Sequence, residues 1–443
     1  MTSRLAKRLL ALAALVAWAV TLAALVFFAV QHLVEAVASL ALTALALGAA
    51  LYSLVRRGFL RWSGVAVALL AVAGAIVLLV GDGALVTLIM YVIAVGVASA
   101  ATGLALRPSG RPPGWAHLPA PGRPVLLMNP RSGGGKVGRF HLPDECERRG
   151  IEPIVLSAGD DLRSVALDAV KRGAGALGMA GGDGSQAIVA QVACEHDLPY
   201  VCVPAGTRNH LALDLGVDRD DVVGALDAYG PDGLERRIDL ATVNGSVFVN
   251  NVSLGVYATI VQSDQYRDDK VGTTLRMLPE LLGPEAIPFD LRFAEPGGDE
   301  HISADLLMVS NGPYRLDRLF GMGSRPRMDS GELGVVAVGI DNAAQAAEFL
   351  ALESTGAAHR FPGWRSWTTA AFVVDSDRPV PAGVDGEALT LEPPLRFASR
   401  PGALRVRLSP YHPGRSPAAS KPPSAPAAVR ELGHAAFGRA AAG

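Results

Sequence analysis

The sequence reads as α/β + β: a four-helix transmembrane segment, then a doubly wound α/β domain, then a second domain of mainly antiparallel strands. Three observations lead there. Nearly unbroken apolar runs fill the stretch up to Leu106. Between residues 124 and 237 short apolar strands alternate with helical segments, the pattern of a parallel sheet wound on both faces. From Ile238 onward the segments alternate or are β-branched, with turns between them. At 443 residues the chain exceeds one ordinary core. Half its residues are hydrophobic, yet mean hydropathy is only +0.30, so the apolar residues are unevenly placed.

Residues 1–106 divide into Leu9–Val30, Leu33–Val55, Trp62–Val80 and Ala84–Leu106. A helix crossing ~30 Å of hydrocarbon needs about 20 apolar residues, and each stretch is close to that. Arg4, Lys7 and Arg8 precede the first span, Arg56, Arg57 and Arg61 lie between the second and third, and Arg107, Arg111 and Arg123 follow the fourth. The other two connections carry no Lys or Arg. The positive-inside rule therefore predicts a multi-pass integral protein of the cell membrane with everything after Leu106 cytoplasmic. Three further spans argue against reading the first as a cleaved signal peptide.

Residues 107–123, rich in Pro, Gly and Arg, read as a linker. In residues 124–237 strands are expected at Val125–Met128, Pro153–Ser157, Ala176–Ala180 and Tyr200–Val203. Helices are expected from the first glycine-rich loop to Arg149, from Asp160 or Asp161 to Arg172, and over Ser185–His196, Arg208–Leu215 and Asp218–Tyr229. Residues 238–411 read as the β-rich domain, with strands at Ser246–Val252, Asp290–Ala294, Ala304–Ser310, Leu333–Ile340 and Ala371–Val374, and one helix at Ala343–Leu352. Residues 412–443, rich in Pro, Ala and Ser, read as a disordered tail.

Composition removes some function classes. Net charge is −2 and the pI about 6.5, so there is no basic field to attract nucleic acid. Cys146, Cys194 and Cys202 show no paired framework and no zinc spacing, and the nine histidines form no HExxH cluster.

Three loops each follow a strand of the same predicted sheet: Asn129–Lys136 (NPRSGGGK), Gly181–Ser185 (GGDGS) and Ala205–His210 (AGTRNH). In open α/β sheets ligands bind at the carboxyl ends of the strands, so these loops are expected to meet on one edge. Their glycines let backbone approach phosphate closely, and the following helix N-termini add partial positive charge. The first loop is not a P-loop: Pro130 stands where a glycine is needed and Val137 replaces the magnesium-binding hydroxyl. Gly133, Gly135 and Gly138 satisfy G-x-G-x-x-G formally, but lie several residues beyond the strand with no acidic residue closing the next one. Asp183 alone would be a turn aspartate; between two such loops it reads as a carboxylate positioning phosphates through magnesium or water. Asp385-Gly386-Glu387 offers carboxylates for a hydroxyl nucleophile, against the plainer reading of an Asp-Gly hairpin turn.

NPRSGGG, GGDGS, PAGTRNHLALDLG and VDGEAL, in this order and spacing, resemble the diacylglycerol kinase catalytic-domain family, which includes bacterial lipid kinases and sphingosine kinases. Ile238-Asp239, Phe248–Asn251, Asn311-Gly312 and PGALRV are also similar, and the resemblance runs from Pro124 to Pro410. It implies an α/β nucleotide-binding domain followed by a β-sandwich-like domain, with ATP and Mg2+ in the cleft between them. By matching position, Gly181, Gly182, Asp183, Gly184 and Ser185 hold the ATP phosphates. Asn129, Ser132, Gly133, Ser157, Gly206, Thr207 and Asn209 line the same site, and Asp385 and Glu387 activate the lipid hydroxyl. Ser185 replaces the usual threonine, and His210 stands where many members have aspartate. The loop Met328–Leu333 resembles the family's metal-site loop with its paired acidic residues reduced to Asp329 and a serine, leaving Asp329 as the candidate metal ligand. The expected partner is a lipid substrate in the membrane, and a homodimer is implied by the family. The expectation is an ATP-dependent lipid kinase acting on a diacylglycerol-like acceptor. The rival readings are a kinase of a soluble metabolite similar to NAD kinase, and a non-catalytic nucleotide- or lipid-binding membrane regulator.

Overall fold

The computed structural model describes residues 4–31, 33–55, 59–81, 84–106, 114–255, 290–296, 300–301, 304–316, 323–420 and 425–437. These fall into two compact units, one drawn from 1–110 and 420–443, the other from 111–419.

In the first unit, long apolar runs give α1 (Arg4–Gln31), α2 (Leu33–Val55), α3 (Phe59–Gly81) and α4 (Ala84–Ala105). At 1.5 Å per residue, their 28, 23, 23 and 22 residues make helices of roughly 33–42 Å. α1 packs on α4 and α2 on α3. Trp18 Nε1 donates to Thr102 Oγ1 at 2.9 Å across the first pair. Apolar side chains such as Leu22, Leu70 and Ile93 face outward. Among the described residues one stretch, Arg8–Phe27, is long and apolar enough to cross a membrane; those on the other helices are shorter. Arg56, Arg57, Arg107 and Arg111, used above to orient the spans, lie outside the described residues.

The tail expected to be disordered contains two helices, Pro417–Ser420 and Ala425–Phe437. The second buries Leu432 and Ala436 against Ala11, Ala14 and Ala105. Its composition signalled disorder because the partner surface lies some 400 residues upstream, beyond any local pattern.

The second unit begins with β1 (Ala116–His117), inside the expected linker, and β2 (Pro124–Met128). The helix expected to follow is broken into a 3₁₀ turn, α5 (Lys136–Arg139) and α6 (Leu142–Arg148), because His141 turns left-handed just ahead of Pro143. Next come β3 (Glu152–Val155), α7 (Leu162–Lys171), β4 (Ala176–Ala180), α8 (Asp183–Glu195), β5 (Tyr200–Val203) and α9 (His210–Leu215). Asp161 caps α7, accepting from the backbone N–H of Arg163 and Ser164. The helix expected over Asp218–Tyr229 shrinks to a 3₁₀ turn at Gly224–Tyr229. The Asp218 and Asp221 side chains bond the nearby backbone N–H of Asp220 and Gly224 and compete with helix.

The chain continues as β6 (Leu234–Val243), β7 (Ser246–Phe248), β8 (Asn251–Gly255), the short pair β9 (Phe293–Ala294) and β10 (Glu300–His301), β11 (Leu306–Ser310) and β12 (Leu333–Val338). After α10 (Ala343–Thr355) come β13 (Trp364–Thr369), β14 (Ala371–Val374), β15 (Val380–Val384), β16 (Glu387–Leu391) and β17 (Leu395–Leu408).

The larger sheet runs β1-β6-β17-β5-β4-β2-β3, with β2 to β5 parallel. The second, β13-β12-β11-β8-β15-β16, is antiparallel throughout. The chain thus folds as a mixed α/β sheet domain, a second sheet domain and N-terminal helices. The boundary read at residue 237 falls inside β6, and β17 returns from the second domain to pair parallel with β5. β6 and β17 pass through both cores: Ile238 and Leu404 lie in the first, Val243 and Phe397 in the second. Their register shifts between Arg400 and Leu404, where Asp239 Oδ1 accepts the Gly402 N–H at 2.8 Å. That explains the Ile238-Asp239 and PGALRV signatures as one structural clasp.

Phe397 is buried between Phe248 and Phe372. Phe397→Ala is expected to cost about 3–5 kcal/mol by leaving a cavity, read as a lowered midpoint in chemical denaturation.

Candidate functional site

In the parallel part of the larger sheet, β3 lies on one side of β2 and β4 and β5 on the other. The order reverses at β2, so the loops after β2 and β4 flank the crevice where such sheets bind ligands. The loop after β5 closes it. Gly133 has φ +56, and a Cβ on it would stand 2.3 Å from the Ala205 carbonyl oxygen. A Cβ on Gly206 would meet Gly182 Cα at 2.6 Å and the Gly181 carbonyl oxygen at 3.0 Å. Any side chain at these two positions would push the loops apart, so glycine is what lets them form one continuous rim. Lys136 Nζ reaches the Pro204 carbonyl at 3.2 Å across the same seam.

The rim is built as follows. Asn129 donates its backbone N–H to Ala180 O at 2.9 Å, joining the ends of β2 and β4, and its Oδ1 accepts the Arg131 N–H. Ser132 opens the 3₁₀ turn. Gly182 is the N-cap of α8, so the first free N–H groups of that helix come from Asp183, Gly184 and Ser185. Thr207 is exposed on the third loop. Asn209 does not line the opening: it is buried, its Oδ1 accepting the Gly206 N–H and its Nδ2 donating to Pro204 O and Gly206 O. Ser157 is exposed beyond the end of β3, its N–H held by Asp160. Asp183 accepts from the backbone N–H of His210 at 3.0 Å and of Leu211 at 3.1 Å, so it caps α9. Burial outweighs the opposing charge of this carboxylate and pushes the His210 imidazole down to about 4, leaving it neutral at pH 7. Gln186, which the sequence reading passed over, bonds the carbonyls of Met179, Gly181 and Val203 and ties the two central strand ends together.

Asp385-Gly386-Glu387 forms the hairpin corner that the plainer reading expects. Asp385 (φ +49) and Gly386 (φ +88) form the two-residue turn between β15 and β16. The Asp385 carboxylate also turns inward: Oδ2 accepts the Val249 N–H at 2.8 Å, and Oδ1 those of Asn250 at 2.7 Å and Asn251 at 3.2 Å. Burial outweighs these three donors and, with the like charge of Asp183 added, pushes the carboxyl up to about 7. Glu387 leans on the first turn of α8: a Cβ on Gly184 would lie 3.1 Å from its Cγ and 3.6 Å from its Oε1. Residues two hundred positions apart thus share one cleft.

Residues 123–243 match the diacylglycerol kinase catalytic domain. The chain is 30% identical over 206 residues to the diacylglycerol kinase of Mycobacterium tuberculosis (strain CDC 1551 / Oshkosh), and equally to that of strain H37Rv. Those matches take in 44% of this chain and 65% of each relative, just under two thirds of its length. The diacylglycerol kinase of Bacillus subtilis (strain 168) is 31% identical over 135 residues, 29% of this chain and 44% of the relative. In fold, the chain is similar to a candidate diacylglycerol kinase of Bacillus anthracis, with a TM-score of 0.51 at 17% identity over 65% of this chain and 97% of that one.

The two sides of the cleft are joined by a buried ion pair. Arg325 is fully buried and donates from Nε to Asp214 Oδ2 at 2.7 Å and from its backbone N to Oδ1 at 2.8 Å. Its Nη1 donates to Val249 O at 2.7 Å and Asn311 O at 2.6 Å, and its guanidinium lies 5.3 Å over the Tyr314 ring. Asp214 is on α9, which Asp183 caps, and Val249 gives its N–H to Asp385. Asp214 lies within the quoted NHLALDLG stretch; Arg325 carried no sequence signal.

The loop offered for magnesium is filled differently. Arg327 Nε lies 3.0 Å from Asp329 Oδ1 and Arg236 Nη2 3.4 Å from Oδ2. No cluster of three metal-ligating side chains exists among the described residues. Two guanidiniums stand where a cation would bind, so these residues do not fit a resident magnesium ion at Asp329.

Breaking the buried pair with Arg325→Met alone is expected to cost about 3–5 kcal/mol, because Asp214 is left charged and dry. Replacing both, Arg325→Met with Asp214→Leu, should recover most of that loss, and a double-mutant cycle in urea measures the difference.

Proposed function

We propose that the protein is an ATP-dependent lipid kinase that phosphorylates a hydroxyl of a diacylglycerol-like lipid at the cytoplasmic face of a membrane. The observation that supports it best is the approach of Glu387 to Gly184, which brings the acceptor-side carboxylates to the N-terminus of the phosphate-facing helix. The rim supplies backbone N–H groups and the positive end of α8 to the ATP phosphates, with Gly133 and Gly206 letting its loops close against one another. Magnesium carried in on the nucleotide would supply charge neutralisation at the phosphate oxygens.

Asp385 acts as the base. Its Oδ2 takes a single N–H and keeps a lone pair for the proton of the lipid hydroxyl, and a carboxyl poised near 7 is matched to neutral pH. Glu387, exposed beside Gly184, orients that hydroxyl toward the γ-phosphate. The hydroxyl oxygen forms the new P–O bond in line as the bond to the bridging oxygen of ADP breaks.

The four apolar helices form a multi-pass anchor that keeps the domain where its acceptor is. Leaving the bilayer would cost the lipid ~0.8 kcal/mol per CH₂ group. A lipid acceptor thus favours attachment over diffusion.

Full-length protein with labelled ATP, magnesium and mixed lipids should place label in the organic phase, and Asp183→Ala should abolish it. Label in NADP instead, or nucleotide binding without turnover, would overturn the lipid kinase reading. The rate is expected to rise with pH through about 7 as Asp385 ionises, and Asp385→Asn should remove that limb together with nearly all activity. Stability runs the opposite way. The folded carboxyl holds its proton more tightly than the ordinary value of 3.8, so its contribution is fullest below that value and lost as pH rises through 7. Thermal midpoints across pH 4–8, for wild type against Asp385→Asn, read this term as a decline confined to the wild type.

A further inference from the structure

A cavity of roughly 460 Å³ opens at the far end of α9 from the rim, between Trp115, Arg236, Arg327, Asp329 and the stretch around Arg415. That is within the size range of small-ligand sites. Three arginines line it against two carboxylates, and one of those, Asp214, is already spent on Arg325. The remaining carboxylate, Asp329, is shared by Arg236 and Arg327. Arg236 and Arg327 therefore bring two positive charges to a single carboxylate.

Arg236 is the telling residue. It projects from β6 with its side chain only 14% exposed, and its nearest carboxylate oxygen is 3.4 Å away. Its guanidinium lies 5.3 Å over the Trp115 ring, whose Nε1 is tied to Gly414 O at 3.1 Å. Burial lowers its basicity, the mark of a cation drawn out of water with too little counter-charge. A stacked planar guanidinium beside two further arginines is the arrangement that grips a tetrahedral oxyanion through paired N–H donors.

We propose that this cavity is a second anion site, separate from the nucleotide rim, that takes a phosphate mono- or diester through Arg236, Arg327 and Arg415. The loop whose counterpart in the family holds a cation would here serve an anion. The phosphate could be free in solution or belong to a lipid headgroup. Trp115 and Ala419 on the cavity wall lie near the two ends of the second unit in sequence.

The test uses full-length protein in phosphatidylcholine nanodiscs, with Trp115 fluorescence taken as the difference from Trp115→Phe. Inorganic phosphate at constant ionic strength should give a saturable change, and Arg327→Gln and Arg415→Gln should each raise the half-saturating concentration by ~10-fold or more. Both side chains are partly solvent-exposed, so these variants should fold even where Arg236→Gln does not. Nanodiscs containing phosphatidylglycerol distinguish the source. Loss of the response to added phosphate, with the signal already shifted, assigns the site to headgroups; an unchanged titration assigns it to soluble phosphate. No saturable response to either probe, or a response that survives both arginine substitutions, overturns the proposal, whether or not the kinase reading holds.

Discussion

The Asp214–Arg325 pair is the constraint on which the geometry of the cleft depends. Asp183 fixes the start of α9 and Asp214 lies on the same six-residue helix. Arg325 then reaches from Asp214 to the Val249 carbonyl, whose own N–H is held by Asp385. Asp183 and Asp385 are thus linked by backbone hydrogen bonds through one fully buried guanidinium. Removing two charges from water rarely adds net stability, so such a pair is better explained by the single arrangement it enforces. Here that arrangement sets the separation between Asp183 and Asp385, and in the phosphoryl transfer proposed above small misplacements cost rate steeply.

The same economy of charge explains Asp385. Three N–H donors would ordinarily hold a carboxylate well below the usual range, yet burial and the neighbouring Asp183 override them. The residue is at once the turn of a hairpin, the clamp on residues 249–251 and a group that titrates near neutrality. Asp329 shows the contrary case: with two arginines already on its oxygens, it has no unmet demand for a metal cation.

Much of this was readable in the sequence where the determinants are local. β4 and β5 match the expected Ala176–Ala180 and Tyr200–Val203 because each is a short apolar run with clear turn residues on either side. The three glycine loops were readable because close backbone approach demands glycine at particular positions, as Gly133 and Gly206 show. The helix expected from Ser185 begins two residues earlier, at Asp183, because an extended glycine, Gly182, serves as its N-cap. What could not be read is pairing across distance. β17 joins β6 and β5 from some 150 to 200 residues away, Asn209 turns inward to staple its own loop, and Arg325 finds Asp214 across 111 positions. None of these leaves a periodic trace, since each depends on where the fold brings a distant surface.

The most direct test of the linkage is steady-state phosphoryl transfer by the folded double variant Asp214→Leu/Arg325→Met. The account predicts a KM for ATP close to wild type, because the glycine rim is untouched. It also predicts a kcat at least ~10-fold lower, with the acid limb moved to higher pH once the buried cation near Asp385 is gone. A kcat and pH profile indistinguishable from wild type would contradict it.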